Sequence, residues 1–124
     1  MRTALAIAAG GALGAVSRHL LDSFVNRHMG DDFPWGIFVV NVSGSFALGA
    51  LVGLFAHKLG VPLWLQAAAT VGFLGAFTTF STYMLQIYRS ASTGHLAIAF
   101  ANAFGSLAAG LLALYAGILL ARTL

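Results

Sequence analysis

The 124-residue chain has no cysteine and no glutamate, only two prolines, and only six basic and three acidic residues. Without cysteine it has neither disulfides nor thiolate metal ligands. At 7% charged residues it cannot coat a water-facing globule, which typically carries about a quarter. The formal charge of +3 and the isoelectric point near 10.0 come from scattered side chains. No Lys/Arg cluster offers the electrostatic footprint that nucleic-acid binding needs, so that class is set aside. Four histidines (His19, His28, His57, His95) fall near predicted helix ends, and no pair has metal-ligand spacing within one helix.

What is abundant points to a lipid bilayer: 60% hydrophobic residues, 15 glycines and a mean hydropathy of +0.92. Uncharged stretches of 25, 30 and 32 residues separate Asp32, Lys58, Arg89 and Arg122, and a shorter one of 15 separates Arg2 from Arg18. A spanning helix needs roughly 20 mostly apolar residues. The pattern therefore predicts an all-α membrane protein, one four-helix transmembrane domain over residues 1–124, with helices at about 2–27, 34–57, 62–89 and 94–122. Pro34 and Pro62 stand where helices begin, a position that needs no N–H, and each is followed by an interface-favouring Trp, Trp35 and Trp64. Arg2 and the small apolar run to Ala15 have the outline of a secretory signal. Retention as a first span is expected instead, because cleavage would discard a glycine-rich packing segment.

Small residues recur every fourth position: Gly10 and Gly14, Gly49 and Gly53, and Gly105, Ala109, Ala113 and Gly117. Such stripes allow close helix approach where lipid gives apolar helices no reason to associate. Asp22 and Arg18 are read as a surface pair four residues apart. With four spans, Arg2, Lys58 and Arg122 fall on one side of the membrane and Arg18, Arg27 and Arg89 on the other. Since Lys/Arg asymmetry sets orientation, this tie predicts insertion both ways up and makes an antiparallel dimer available.

Intramembrane polar residues are functional candidates by default. The densest group is Thr78, Thr79, Ser81 and Thr82, just after Gly72 and Gly75. Glycine and β-branched threonine lower helix propensity, so the third helix is predicted to break near mid-membrane, although hydroxyls can also satisfy themselves on their own helix. Freed carbonyls at such a break suit a small cation. Asn41 with Ser45, and Asn102 with Ser106, each share one helix face. Taken singly they read as interhelical glue; together they offer amide and hydroxyl donors with no interior carboxylate, a lining suited to an anion. Phe73, Phe77, Phe80 and Tyr83 follow at helical spacing, and ring edges carry positive partial charge.

These residues resemble those of the small fluoride channels, the CrcB or Fluc family. The likeness is carried by Gly10-Gly11 with Gly14, Ala15 and Arg18; by Pro34-Trp35-Gly36 with Val40-Asn41 and Gly44; by Gly72-Phe73-Leu74-Gly75 running into Thr78-Thr79-Phe80-Ser81-Thr82; and by Gly105-Ser106. The resemblance implies an antiparallel, dual-topology homodimer in the bacterial inner membrane, two fluoride pores along the subunit interface, and a central structural Na⁺. It implies passive export of F⁻ from the cytoplasm, where HF that has entered dissociates. By the same likeness Gly75 and Thr78 would offer backbone carbonyls to Na⁺. Asn41, Ser81, Thr82 and Ser106 would line the fluoride path, Phe80 would be one aromatic contact, and Tyr83 would occupy the place of a second, usually Phe. Met84 and Gln86 stand where the family commonly has Ser and Glu, and Ile37 where it often has Thr. The competing class is a small multidrug-resistance-type exporter of cationic compounds, coupled to protons through Asp22. A non-transporting scaffold is the third, and leaves the mid-depth polar residues unexplained.

Overall fold

The computed structural model describes residues 1–57 and 60–124. They form helices α1 (Arg2–Met29), α2 (Trp35–His57), α3 (Leu63–Ala67), α4 (Gly75–Phe77), α5 (Phe80–Ser92) and α6 (Leu96–Arg122), with seven residues of wider, π-helical winding (Ala68–Leu74) joining α3 to α4. Four stretches are long and apolar enough to cross a membrane: α1, α2, the compound span Leu63–Ser92, and α6. Among the described residues there is no strand.

The helix ends follow local chemistry. The carbonyls of Pro34 and Pro62 accept from Phe38 and Gln66, so each proline opens its helix without a lost donor. Gly30, Gly60 and Gly94 adopt φ of 80°, 108° and 84° at the three connections, where a side chain would be strained. Arg27 and His28 sit in the last turn of α1, favourable for the negative end of the helix dipole.

Glycine contacts set the packing. A Cβ on Gly49 would overlap the Leu114 carbonyl, and one on Gly117 the Phe46 carbonyl, so the backbones of α2 and α6 touch. Likewise, Gly14 of α1 lies against the Phe73 carbonyl and Gly10 against that of Ala68. The wider winding at Ala68–Leu74 displaces these carbonyls toward α1, and Gly72 admits the Ile7 carbonyl in return. Gly105, expected in the α6 stripe, has nothing within 4 Å of its Cβ position, whereas Gly117 at the other end of the stripe meets the α2 backbone. The core is small, built on Val40, Leu74 and Phe77. Large apolar side chains such as Leu13, Phe24, Phe104 and Leu112 face outward, as lipid permits.

Arg2 lies 4.5 Å over the Trp64 ring, so the start of α1 and the start of α3 share one end of the bundle. Lys58 lies outside the described residues. Arg18 reaches into the bundle instead of marking an end, which removes it from the orientation tally and leaves Arg27 and Arg89 on its side.

Candidate functional site

The third span breaks between α4 and α5. Thr78 (φ −79°, ψ 156°) and Thr79 (φ −148°, ψ 124°) are extended. Breaking a helix in an apolar medium strands backbone groups, and three side chains take them up. Asn41 of α2 holds Thr79 at both ends: its Oδ1 accepts from the Thr79 N–H at 2.8 Å and its Nδ2 donates to the Thr79 carbonyl at 3.0 Å. Arg18 Nη1 of α1 donates to the Thr78 carbonyl at 3.4 Å. The Thr79 hydroxyl caps α5 by accepting from the Thr82 N–H at 3.3 Å. Because the Thr79 N–H is committed to Asn41, the Gly75 carbonyl loses its partner four residues on. Gly44 makes room for the whole arrangement, since a Cβ there would strike the Thr78 methyl.

Around the break opens a cavity of about 420 Å³. Its polar wall comes from Asn41, Ser45, Thr78, Thr79, Tyr83 and Ser106, and Gly75 and Phe80 also line it. Among the described residues, none that lines it is charged. Phe80 is 70% exposed, and Gly75, Leu107 and Leu111 are exposed with it, so one side of the cavity has no wall within the single chain. The rings of Phe80 and Tyr83 stand 6.0 Å apart at 57°.

The structure brings Asn41, Gly75, Thr78, Phe80, Tyr83 and Ser106 to one cavity. Ser81 and Thr82 are not on its lining; they form the first turn of α5 beyond it. The aromatic stripe is split by the break. Phe73 and Phe77 stack at 5.8 Å in and against the core, while Phe80 and Tyr83 turn to the cavity. Most hydroxyls already have acceptors. Thr78 Oγ1 donates to the Leu74 carbonyl and Thr70 Oγ1 to that of Gln66, the self-satisfied arrangement of helical threonines. Tyr83 donates to α6 carbonyls, those of Asn102 (3.3 Å) and Ala103. Its hydroxyl thus joins α5 to α6, and its one proton is committed there.

The Arg18–Asp22 pair is corrected: Arg18 turns to Thr78, and Asp22 accepts from Asn26 Nδ2 at 2.9 Å. Asp22 is not on the cavity lining, which deprives the proton-coupled exporter of its carboxylate. The signal overlooked was physical: a guanidinium inside a span needs an acceptor, and the break frees carbonyls. Of the three departures, Ile37 is buried at 4% exposure, Met84 is 40% exposed, and Gln86 lines a second opening near Asp31, Asp32, Arg89 and His95.

A break in one of four apolar spans, stabilised by a neighbouring carboxamide beside an uncharged cavity, defines a multi-pass membrane protein with a candidate permeation site. The chain matches the family described as CrcB-like protein, Camphor Resistance (CrcB), over residues 5–118, and it belongs to that family. It is 42% identical over 116 residues to the fluoride-specific ion channel FluC of Magnetococcus marinus, covering 94% of each chain. To the channel of the same name from Rhodospirillum centenum it is 42% identical over 123 residues, 99% of this chain and 98% of the other. To that of Phenylobacterium zucineum it is 42% identical over 124 residues, with 98% and 97% covered.

Proposed function

We propose that this chain is a fluoride-selective ion channel, a non-enzymatic pore that passively exports F⁻ from the bacterial cytoplasm. The observation that carries the reading is the uncharged cavity at the helix break, where amide, hydroxyl and aromatic groups converge without a carboxylate. A small anion leaving water needs donors and positive ring edges, and a fixed negative charge would exclude it. Asn41 Nδ2 has two protons, and only one is committed to Thr79. Asn41, Phe80, Tyr83 and Ser106 line the path, with Ser81 and Thr82 continuing it past the cavity rim.

The missing wall supports an antiparallel homodimer in which a second copy closes the cavity, giving two pores per dimer. The Gly75 carbonyl supports a structural Na⁺ at that interface; the Thr78 carbonyl, the second donor proposed, already accepts from the Arg18 guanidinium, whose positive charge opposes a cation there. They lie at the C-terminal, negative end of a half-helix, and Gly75 presents its carbonyl from an exposed position without a side chain to cover it. One chain offers only part of a coordination shell, and the second copy supplies the rest. The ion adds positive charge that favours an anion nearby in the low dielectric.

The test is efflux from KF-loaded liposomes read with a fluoride electrode. Efflux faster than in protein-free liposomes, with chloride retained, is the expected result. No excess efflux, or equally fast chloride loss, overturns the channel. Replacing Na⁺ on both sides with a large organic cation is expected to lower the rate; an unchanged rate removes Na⁺ from the proposal.

A further inference from the structure

Asn102 is buried at 1% exposure, yet its Nδ2 has no hydrogen-bond partner among the described residues. It does not line the cavity. One turn further along α6, Ser106 does, and Ser106 Oγ donates its proton to Asn102 Oδ1 at 2.8 Å. The arrangement is doubly unfavourable for an anion path: the Ser106 proton is turned away from the cavity, and a buried carboxamide nitrogen keeps both its protons unused.

We propose that the Asn102 carboxamide is a positioning switch that turns Ser106 from a donor to the protein into a donor to a passing anion. The inference rests on the cavity being an anion path. A half-turn of the carboxamide exchanges its oxygen and nitrogen at nearly the same volume. Nδ2 then donates to Ser106 Oγ, and the Ser106 proton is released toward the cavity. The oxygen takes the unpartnered position, and an unpaired buried carbonyl is better tolerated than an unpaired N–H. Both arrangements contain one Asn102–Ser106 bond. An anion beside Ser106 adds a bond to the turned arrangement alone and so shifts the population toward it. The backbone has no part in the motion: Tyr83 bonds the Asn102 and Ala103 carbonyls and holds α6 to α5 while the carboxamide rotates.

The chain has three asparagines, Asn26, Asn41 and Asn102, so selective [¹⁵N]Asn labelling resolves their side-chain amides by NMR in lipid bilayers. Titration with KF is expected to move the Asn102 amide resonances saturably, KCl to leave them unmoved, and Ser106→Ala to abolish the response. An Asn102 signal indifferent to fluoride in protein that conducts it overturns the switch. So does a response that persists in Ser106→Ala, which would make Asn102 a direct ligand. In liposomes, near-isosteric Asn102→Leu and Ser106→Ala are each expected to lower fluoride flux about tenfold, the size of one hydrogen bond, with the double variant no slower than either. Losses that multiply to about a hundredfold overturn the coupling. Should Asn102→Leu fail to fold, the NMR titration decides on wild-type and Ser106→Ala protein. Absence of flux in wild type overturns the channel reading itself, which separates the two failures.

Discussion

One carboxamide, Asn41, satisfies both backbone groups of Thr79, and at this residue the polar sequence is tied to the broken backbone. Asn41→Ala leaves a buried N–H and C=O without partners, each costing about 1–3 kcal/mol. We expect fluoride efflux to fall at least about tenfold and the melting temperature in detergent to drop, with crosslinking of the proposed dimer unchanged from wild type. Phe80→Ile removes an exposed ring from the cavity without disturbing any backbone bond, so it is expected to cut efflux and leave the melting temperature unchanged. Tyr83→Phe behaves oppositely. Its hydroxyl bonds α6 carbonyls, so removing it costs about 1 kcal/mol of stability while flux stays within about twofold of wild type. A large loss of flux in Tyr83→Phe would make the hydroxyl a contact of the ion instead. These three roles were unequally legible beforehand. Asn41 and Phe80 stand out as polar and aromatic groups in an apolar span, but the direction of a hydroxyl proton depends on which carbonyl a neighbouring helix presents.

At the scale of the element, glycines separate tight from open surfaces. Gly49→Val would drive a side chain into the Leu114 carbonyl and force α2 from α6; overpacking of this kind costs typically about 1–3 kcal/mol. Gly105→Ala meets nothing within 4 Å and gains helix propensity. Thermal unfolding of the two variants in detergent is expected to show a lowered midpoint for the first and an unchanged or raised one for the second. Both glycines sit in four-residue stripes and look equivalent in sequence, since spacing reveals a helix face without showing what faces it. The third span illustrates the same limit. Gly75 and the threonine run foretell an interruption, but Gly75 itself is helical (φ −62°, ψ −35°) and the chain opens at Thr78 and Thr79. The break falls where Asn41 and Arg18 can receive the freed groups, and both reach it from other helices.

For the whole molecule, the decisive quantity is orientation. Because the chain lacks cysteine, a single one introduced at Asp31 in the α1–α2 connection reports on sidedness without background. A membrane-impermeant thiol reagent applied to intact cells is expected to label about half the molecules, as the proposed antiparallel pairing requires; with Arg18 drawn into the bundle, the remaining Lys/Arg residues are too few and too evenly divided to impose one orientation strongly. Labelling of all or none would leave only parallel pairing. A cysteine at exposed Leu111, on the open side of the cavity, is expected to crosslink to its counterpart in a second copy.

Hydrophobic run length, charge spacing and the two proline–tryptophan starts were enough to set four spans, because membrane thickness acts on each helix separately. Composition likewise excluded disulfides, and the threonine cluster located the interruption to within a few residues. The folded chain alone determined that Arg18 serves Thr78 instead of Asp22, that Phe73 and Phe77 part company from Phe80 and Tyr83, and that Asn102 keeps unpaired protons behind Ser106. The first two depend on a hydrogen bond or contact between helices far apart in sequence, and the third on the absence of one for Asn102 among the described residues; such partners are chosen by the crossing of backbones, which no local pattern encodes.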